Sequence, residues 1–205
     1  MSDDSDTAEE TAKEPPMTRF SAPDSEELPE DLRERIDYET ERAGFTPNVF
    51  LAYGYKPSHF RAFFEYYDAL VEDTDLSRAE VEMIVVAVSA ENDCLYCNVA
   101  HGALVRIYAD DPLLADQLVS NYRTADIGER HRAMLDLAVK LTENPQEVEE
   151  EDLERLREHG FSQDEIWDVG AVASFFNLSN RMAHLADMRP NEEFYELGRG
   201  QTDGE

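Results

Sequence analysis

The sequence predicts an all-α domain. Apolar residues recur every three or four positions along most of the chain, Ser-x-x-Glu boxes open apolar runs at Ser77 and Ser162, and no stretch alternates as a half-buried strand would. Residues 1–24 carry Asp, Glu, Ser and Pro with almost nothing to bury, and are expected to form a disordered acidic tail. One compact multi-helix domain is expected over 25–197, with a flexible tail over 198–205.

Within the domain, Pro29 sets the start of a helix running to about Arg42, where Gly44 stops it. Pro47 occupies the first turn of a short helix, Asn48–Tyr53. From Ser58 onward, Phe60, Phe63, Phe64, Tyr67 and Leu70 share one face of the next helix. The box Ser77-Arg78-Ala79-Glu80 opens another, with Val81, Ile84, Val85 and Val88 inward. A helix is expected from about Cys94 to Tyr108, with Asn92 and Asp93 as its N-cap residues. Asp111-Pro112 leads into a helix bearing Leu113, Leu114, Leu118 and Val119, and Gly128 to Leu141 carries Met134, Leu137, Ala138 and Leu141 as far as Asn144-Pro145. Glu149 to His159 is closed by Gly160. The second box, Ser162 to Glu165, opens a long helix through Trp167, Ala171, Phe175, Leu178, Met182 and Leu185, stopped by Pro190. These aromatics and methionines read as core rather than as a cofactor site, and no repeat of fixed period is present.

Composition narrows the function. Asp and Glu number 47 against 18 Lys and Arg, a formal charge of −29. That charge argues against nucleic acid or an anionic membrane as partner. Only Lys13, Lys56 and Lys140 are lysines; the other basic residues are arginines. Acid excess spread along the whole chain, with few lysines, is the composition of proteins from salt-loving organisms, where a Debye length of about 3 Å at molar salt screens the repulsion. No run reaches the ~18 apolar residues of a membrane span. The acidic start has neither the basic nor the apolar part of a signal peptide, so a cytoplasmic location is expected.

Cysteine is used twice in 205 residues, three positions apart, in Cys94-Leu95-Tyr96-Cys97-Asn98-Val99-Ala100-His101. At 100° per residue, Cys94, Cys97 and His101 fall within about 60° of arc on one helical face. Amides at a helix start favour a thiolate, and a bridge across a single turn is strained and readily reduced. A terminus supplies only ~0.3–1 kcal/mol, less than one pKa unit, so a base or cation must assist, and His101 is the obvious one. A carboxylate would hold that imidazole in the useful tautomer. Glu80, Glu82, Glu91 and Asp93 are the nearby choices. On a straight helix Glu82 lies about 120° off the cysteine face and some 18 Å away, so it reaches the site only if the chain breaks near Glu91 to Asp93. Spacing alone does not select it.

Zinc bound by Cys94, Cys97 and His101 is the main non-redox reading, although three ligands on one helix face surround a tetrahedral ion poorly. A c-type haem needs histidine where Asn98 stands. A thioredoxin-like domain needs strands. His59, His131, His159 and His184 have no motif partners and read as surface or packing residues.

Glu82, eleven residues, then Cys94-x-x-Cys97-x-x-x-His101 resembles the pattern of the alkylhydroperoxidase D family within the carboxymuconolactone decarboxylase-like superfamily. The run Leu76-Ser77-Arg78-Ala79-Glu80 into Asn92-x-Cys94-x-Tyr96-Cys97 is most similar to its peroxidase-related branch, with likeness extending to Asn180-Arg181, over about residues 28–190. The resemblance implies an all-helical fold, a homo-oligomer (trimer or hexamer), and reduction of organic hydroperoxides. It implies Cys97 as peroxidatic thiol, Cys94 as resolving thiol, and His101 with Glu82 as proton relay. The implied partners are a small-molecule peroxide and an external dithiol reductant, such as one of lipoyl type, or a reductase protein; no bound cofactor or metal is expected. Tyr96 departs from the family's best-studied peroxidases, which have histidine there. The superfamily's decarboxylases work without cysteines, which sets this chain apart from them. A non-catalytic thiol–disulfide sensor or interaction protein would form the same disulfide without turnover. The acidic composition makes one prediction independent of the site: the melting temperature falls as KCl is lowered from molar to millimolar, and a flat profile would contradict the salt-adapted reading.

Overall fold

A computed structural model describes residues 15–200. Among the described residues the chain forms ten α-helices and three single 3-10 turns, with no strand beyond an isolated bridge between Met17 and Met188. The helices are α1 (Glu30–Ala43), α2 (Asn48–Tyr53), α3 (Pro57–Glu72), α4 (Arg78–Glu91), α5 (Leu95–Tyr108), α6 (Leu114–Asn121), α7 (Glu129–Glu143), α8 (Glu150–Glu158), α9 (Gln163–Ala186) and α10 (Glu193–Glu196). None of the described helices is long and apolar enough to cross a membrane.

The starts and stops follow the expected chemistry. Gly44 closes α1 with φ +81°, a left-handed conformation glycine adopts without strain. Ser77 and Ser162 each cap their helix reciprocally with Glu80 and Glu165. Beside them, Arg130 bonds both Glu80 and Glu165, tying the openings of α4 and α9 to α7.

At the centre runs α4, packed by α5, α6, α7 and α9 and buried continuously from Glu80 to Ser89. A helix apolar on every side is a core helix rather than an amphipathic one. One apolar cluster surrounds it with residues of α6, α7 and α9. A second gathers Leu32 and Ile36 of α1, Phe50 and Tyr53 of α2, Phe60 and Phe64 of α3, the start of α5 with both cysteines, and the end of α9. The candidate site lies in this second cluster.

Three expectations need correction. On α9 the buried face is Ile166, Val169, Val172, Ala173, Phe175, Phe176, Ser179, Asn180, Ala183 and Ala186. Of the stripe expected to be core, only Phe175 is buried: Trp167 is 77% exposed, and Leu178, Met182 and Leu185 are exposed as well. The helix carries two apolar stripes, and the one with small residues, which allows close approach to α4 and α7, faces the core. On α6, likewise, Leu113 and Val119 are exposed while Leu114, Ala115 and Leu118 are buried.

The tails are the third case. Residues 1–14 and 201–205 lie outside the described residues. Part of the segment expected to be disordered is docked: Met17 is 4% exposed and the backbone of residues 16–19 pairs with that of 186–189 behind α9, while residues 18–21 have exposed side chains. A single apolar side chain in an acidic segment is enough to dock it when a neighbouring backbone offers free groups. At the other end, Arg199 forms a bidentate pair with Asp116 of α6 and bonds the Tyr195 carbonyl. Gly198 before it has φ +73°, and a Cβ there would meet the Arg106 side chain at 2.7 Å.

Candidate active site

The site begins with the break between α4 and α5. Asn92 ends α4, and its side-chain amide donates to the Val88 carbonyl and to the side-chain oxygens of Asn177 and Asn180 on α9. Asp93 then takes φ +52°, a left-handed conformation that aspartate tolerates better than most residues. This reverses the chain and lays α5 beside α4. The N-cap of α5 is Cys94 itself rather than Asn92 or Asp93, because its sulfur accepts the Cys97 N–H at 3.4 Å. The anchored corner leaves the thiol, not a carboxylate, at the free amides of the first turn.

Folding α5 back on α4 brings Glu82 to His101. The Glu82 carboxylate is fully buried, and its Oε2 lies 2.7 Å from His101 Nδ1. Arg78, one turn earlier on α4, approaches Oε1 at 3.4 Å. Burying a carboxylate is costly unless it is paired, and the His101 ring N–H with the Arg78 guanidinium supplies that pairing. With Nδ1–H donating to Glu82, His101 keeps a lone pair on Nε2. Glu80, by contrast, serves the Ser77 cap and Arg130, while Glu91 and Asp93 form no bond to His101.

The sulfurs sit 2.8 Å apart as free thiols, 1% and 2% exposed. The hydrogen bond from Cys97 pulls the Cys94 pKa down to about 7, with the Cys97 backbone N–H, His184 and Asn180 acting in the same direction against burial. The same bond and burial push Cys97 well above the ordinary thiol value, while Asn180 and Ser89 oppose. Cys94 is therefore the more acidic of the two thiols, and Cys97 holds its proton more tightly. Among the described residues no hydrogen bond joins His101 to either sulfur, so His101 communicates with Cys97 through the space between them.

That space is a cavity of about 150 Å³. Cys97 and His101 form part of its wall, and most of the rest is apolar, with Phe50, Phe63, Phe64, Phe175 and Phe176 among its aromatic residues. Phe176 packs edge-on to the His101 ring at 4.8 Å. Cys94 is absent from the lining, so only Cys97 meets a ligand there. Tyr96 is buried and its hydroxyl accepts the Val49 N–H at 3.1 Å, a bond that ties α5 to α2. Burial raises its pKa far above that of free tyrosine.

Two features escaped sequence reasoning. His184, read as surface or packing, bonds the Asn92 carbonyl through Nε2 at 2.7 Å and favours the Cys94 thiolate. Asn180 and Ser89, both fully buried, bond each other at 3.0 Å against the sulfurs. Asparagines at 177 and 180 on a largely apolar face were the available signal, but the partners that matter at the site, Asn92 and Ser89, lie 85 to 91 positions away. No three described His, Cys, Asp or Glu side chains converge as a metal site.

Comparison with known proteins agrees with this fold. Residues 57–108 match the carboxymuconolactone decarboxylase family. The whole fold is similar to an uncharacterised peroxidase-related protein from Ralstonia eutropha with an alkylhydroperoxidase D core, at 54% identity over 90% of this chain and 97% of that one (TM-score 0.88). A peroxidase-related protein from a Silicibacter species is 42% identical over 91% and 97% (TM-score 0.85). A debrominase shares the fold at 18% identity, over 89% and 94%, with a TM-score of 0.69. No curated protein matches the chain. The sulfur geometry predicts a single thiolate forming near pH 7 in an ultraviolet titration. Cys94→Ser removes that transition and Cys97→Ser moves it upward; two thiols titrating together near ~8.5 would contradict the assignment.

Proposed function

The chain belongs to the carboxymuconolactone decarboxylase-like superfamily, in its alkylhydroperoxidase D-like, peroxidase-related branch, and from that premise we propose that it is a thiol-dependent peroxidase acting on organic hydroperoxides. The observation that carries the reading is the 2.7 Å contact of Glu82 with His101 on the wall of a cavity shared with Cys97.

Cys97 is the reacting sulfur because it alone of the two meets the cavity. Its proton passes to His101 Nε2, with the imidazolium held by Glu82. The Cys97 thiolate attacks the terminal oxygen of the hydroperoxide; the S–O bond forms, the O–O bond breaks, and the departing alkoxide takes the proton from His101. Cys94, already the more acidic thiol, then attacks the sulfenic sulfur, releasing hydroxide that is protonated to water. The sum is one hydroperoxide and two thiols giving an alcohol, water and one disulfide. An external dithiol restores both thiols by exchange. Burial of both sulfurs favours a slender dithiol of lipoyl type over the surface of a reductase protein. The mainly apolar wall favours an apolar substituent on the peroxide, since hydrogen peroxide would leave that surface unfilled.

The homo-oligomer assembles through the outer face of α9. Asp and Glu make up 47 of 205 residues, yet none occurs between Asp168 and Asp187, where Leu178, Met182 and Leu185 are exposed. Two copies this acidic repel each other except where acid is missing. Trp167→Glu is expected to reduce the mass measured by light scattering to that of one chain, and a wild-type monomer would contradict the assembly.

The activity test is reduction of an organic hydroperoxide at high salt with dihydrolipoamide. Wild type turns over, Cys97→Ser does not, and Glu82→Gln loses about 10²-fold or more in kcat/KM. Equal rates in all three would remove the site, and a Cys94–Cys97 disulfide that forms without turnover would make the protein a thiol–disulfide sensor.

A further inference from the structure

Two sulfur-bearing side chains line the reaction cavity, Cys97 and Met188, and the peroxide cycle uses only the first. Met188 follows the end of α9. Asp187 before it takes a left-handed conformation with φ +52°, and the Met188 N–H donates to the Ala183 carbonyl at 3.0 Å. The amino-terminal segment holds this turn from outside: the Thr18 N–H donates to the Asp187 carbonyl, and the Arg189 N–H to the Pro16 carbonyl. Met188 is left 7% exposed, packed in the apolar cluster that also contains both cysteines.

Met188 also lines a second hollow, a groove of about 230 Å³ beside Met17 and the exposed residues Tyr55 and Lys56. Of the described residues lining cavity or groove, Met188 alone is common to both. It is therefore part of the wall between Cys97 and the surface. Methionine is unbranched and flexible, which suits such a place, but leucine or phenylalanine would close it as well. What those residues lack is the thioether. A thioether is a weaker nucleophile than a thiolate, yet it needs no base and is oxidised by peroxides. While Cys97 is reduced, it consumes the hydroperoxide first. Once Cys97 is joined to Cys94, the reduced sulfur remaining on the cavity wall is that of Met188.

We propose that Met188 is an oxidation site: a hydroperoxide that enters after the thiols have joined converts it to the sulfoxide, and the wall opens. This rests on the reading of the cavity as the place where the hydroperoxide binds. The thioether sulfur attacks the terminal oxygen, an S–O bond forms, and the O–O bond breaks. The proton carried by that oxygen passes to the departing alkoxide. One hydroperoxide and one methionine thus give one alcohol and one sulfoxide, the sulfur losing the two electrons that the peroxide gains. A sulfoxide oxygen has no partner in an apolar cavity, whereas the groove offers it water, so the oxidised side chain turns outward. The cavity is then open to solvent, and activity falls when the external dithiol runs short.

Met182 is the internal control. It stands 38% exposed on α9, so a reagent arriving from bulk solvent oxidises it before Met188. Wild type is treated with tert-butyl hydroperoxide in the absence of dithiol, and peptide mass spectrometry follows the gain of one oxygen at each methionine. Met188 is expected to gain it about tenfold faster than Met182, and only after the disulfide has formed. Dithiothreitol then restores the thiols. The wild-type kcat/KM stays about tenfold below that of untreated protein, while Met188→Leu carried through the same treatment returns to its own starting value. Oxidation of Met182 ahead of Met188 overturns the proposal. So does a Met188 sulfoxide that leaves kcat/KM unchanged, or an equal loss in Met188→Leu. Selective oxidation of Met188 in a protein that never turns over would sustain the oxidation site and refute the peroxidase.

Discussion

The corner at Asn92 and Asp93 is the constraint on which the site depends. A single amide, Asn92 Nδ2, holds the end of α4 and two side chains of α9 at once. Asp93 in a left-handed conformation then turns the chain back. Were α4 and α5 one helix, Glu82 and His101 would sit about 28 Å apart along its axis; with the corner they are in contact. The same corner delivers Cys94 to the free amides that open α5, and the carbonyl of Asn92 receives His184. The Glu82–His101 contact, the sulfur cap of α5 and the packing of α5 on α4 are consequences of one turn.

Electrostatics divides the two thiols more sharply than their positions on the helix suggest. Both are buried, but Cys94 receives the first-turn amide and the favourable field of His184, while Cys97 has the cavity. The more acidic sulfur is thus not the one a ligand meets. Such a division suits a two-step cycle, in which one sulfur must be reachable first and the other already nucleophilic second. It also gives the imidazole a specific task, since Cys97 retains its proton until something in the cavity takes it.

The acidic surface and the apolar interior are kept apart with a few controlled exceptions. Glu82 lies inside and is paired with His101 and Arg78; Glu39 is buried and paired with Arg35 and Arg42. Each inward carboxylate has two N–H donors, at least one of them a guanidinium, which is what burial of charge requires. Where acid is missing instead, on the outer face of α9, large apolar side chains stand exposed. A periodic pattern reports that a helix has an apolar stripe and is silent on what that stripe meets, so Trp167, Leu178, Met182 and Leu185 read as core.

Most helix boundaries were legible in the sequence because their causes are local: Pro29, Gly44, the Ser77 and Ser162 boxes and Gly160 act within one turn. The residues Cys94, Cys97, His101 and Glu82 were legible through their spacing and the family pattern that spacing resembles. What remained hidden was everything requiring two distant segments to meet. The Asn92–Asn177–Asn180–Ser89 network, the His184 contact, the apolar cavity, the wall at Met188, the choice between two stripes on α9 and the docking of Met17 all belong to that group. Sequence alone determined where helices start, stop and carry chemistry, since those are short-range effects of backbone and side chain. Tertiary structure alone decided which sulfur is the more acidic, which one faces a ligand and what the imidazole touches, because burial and field come from neighbours many residues away.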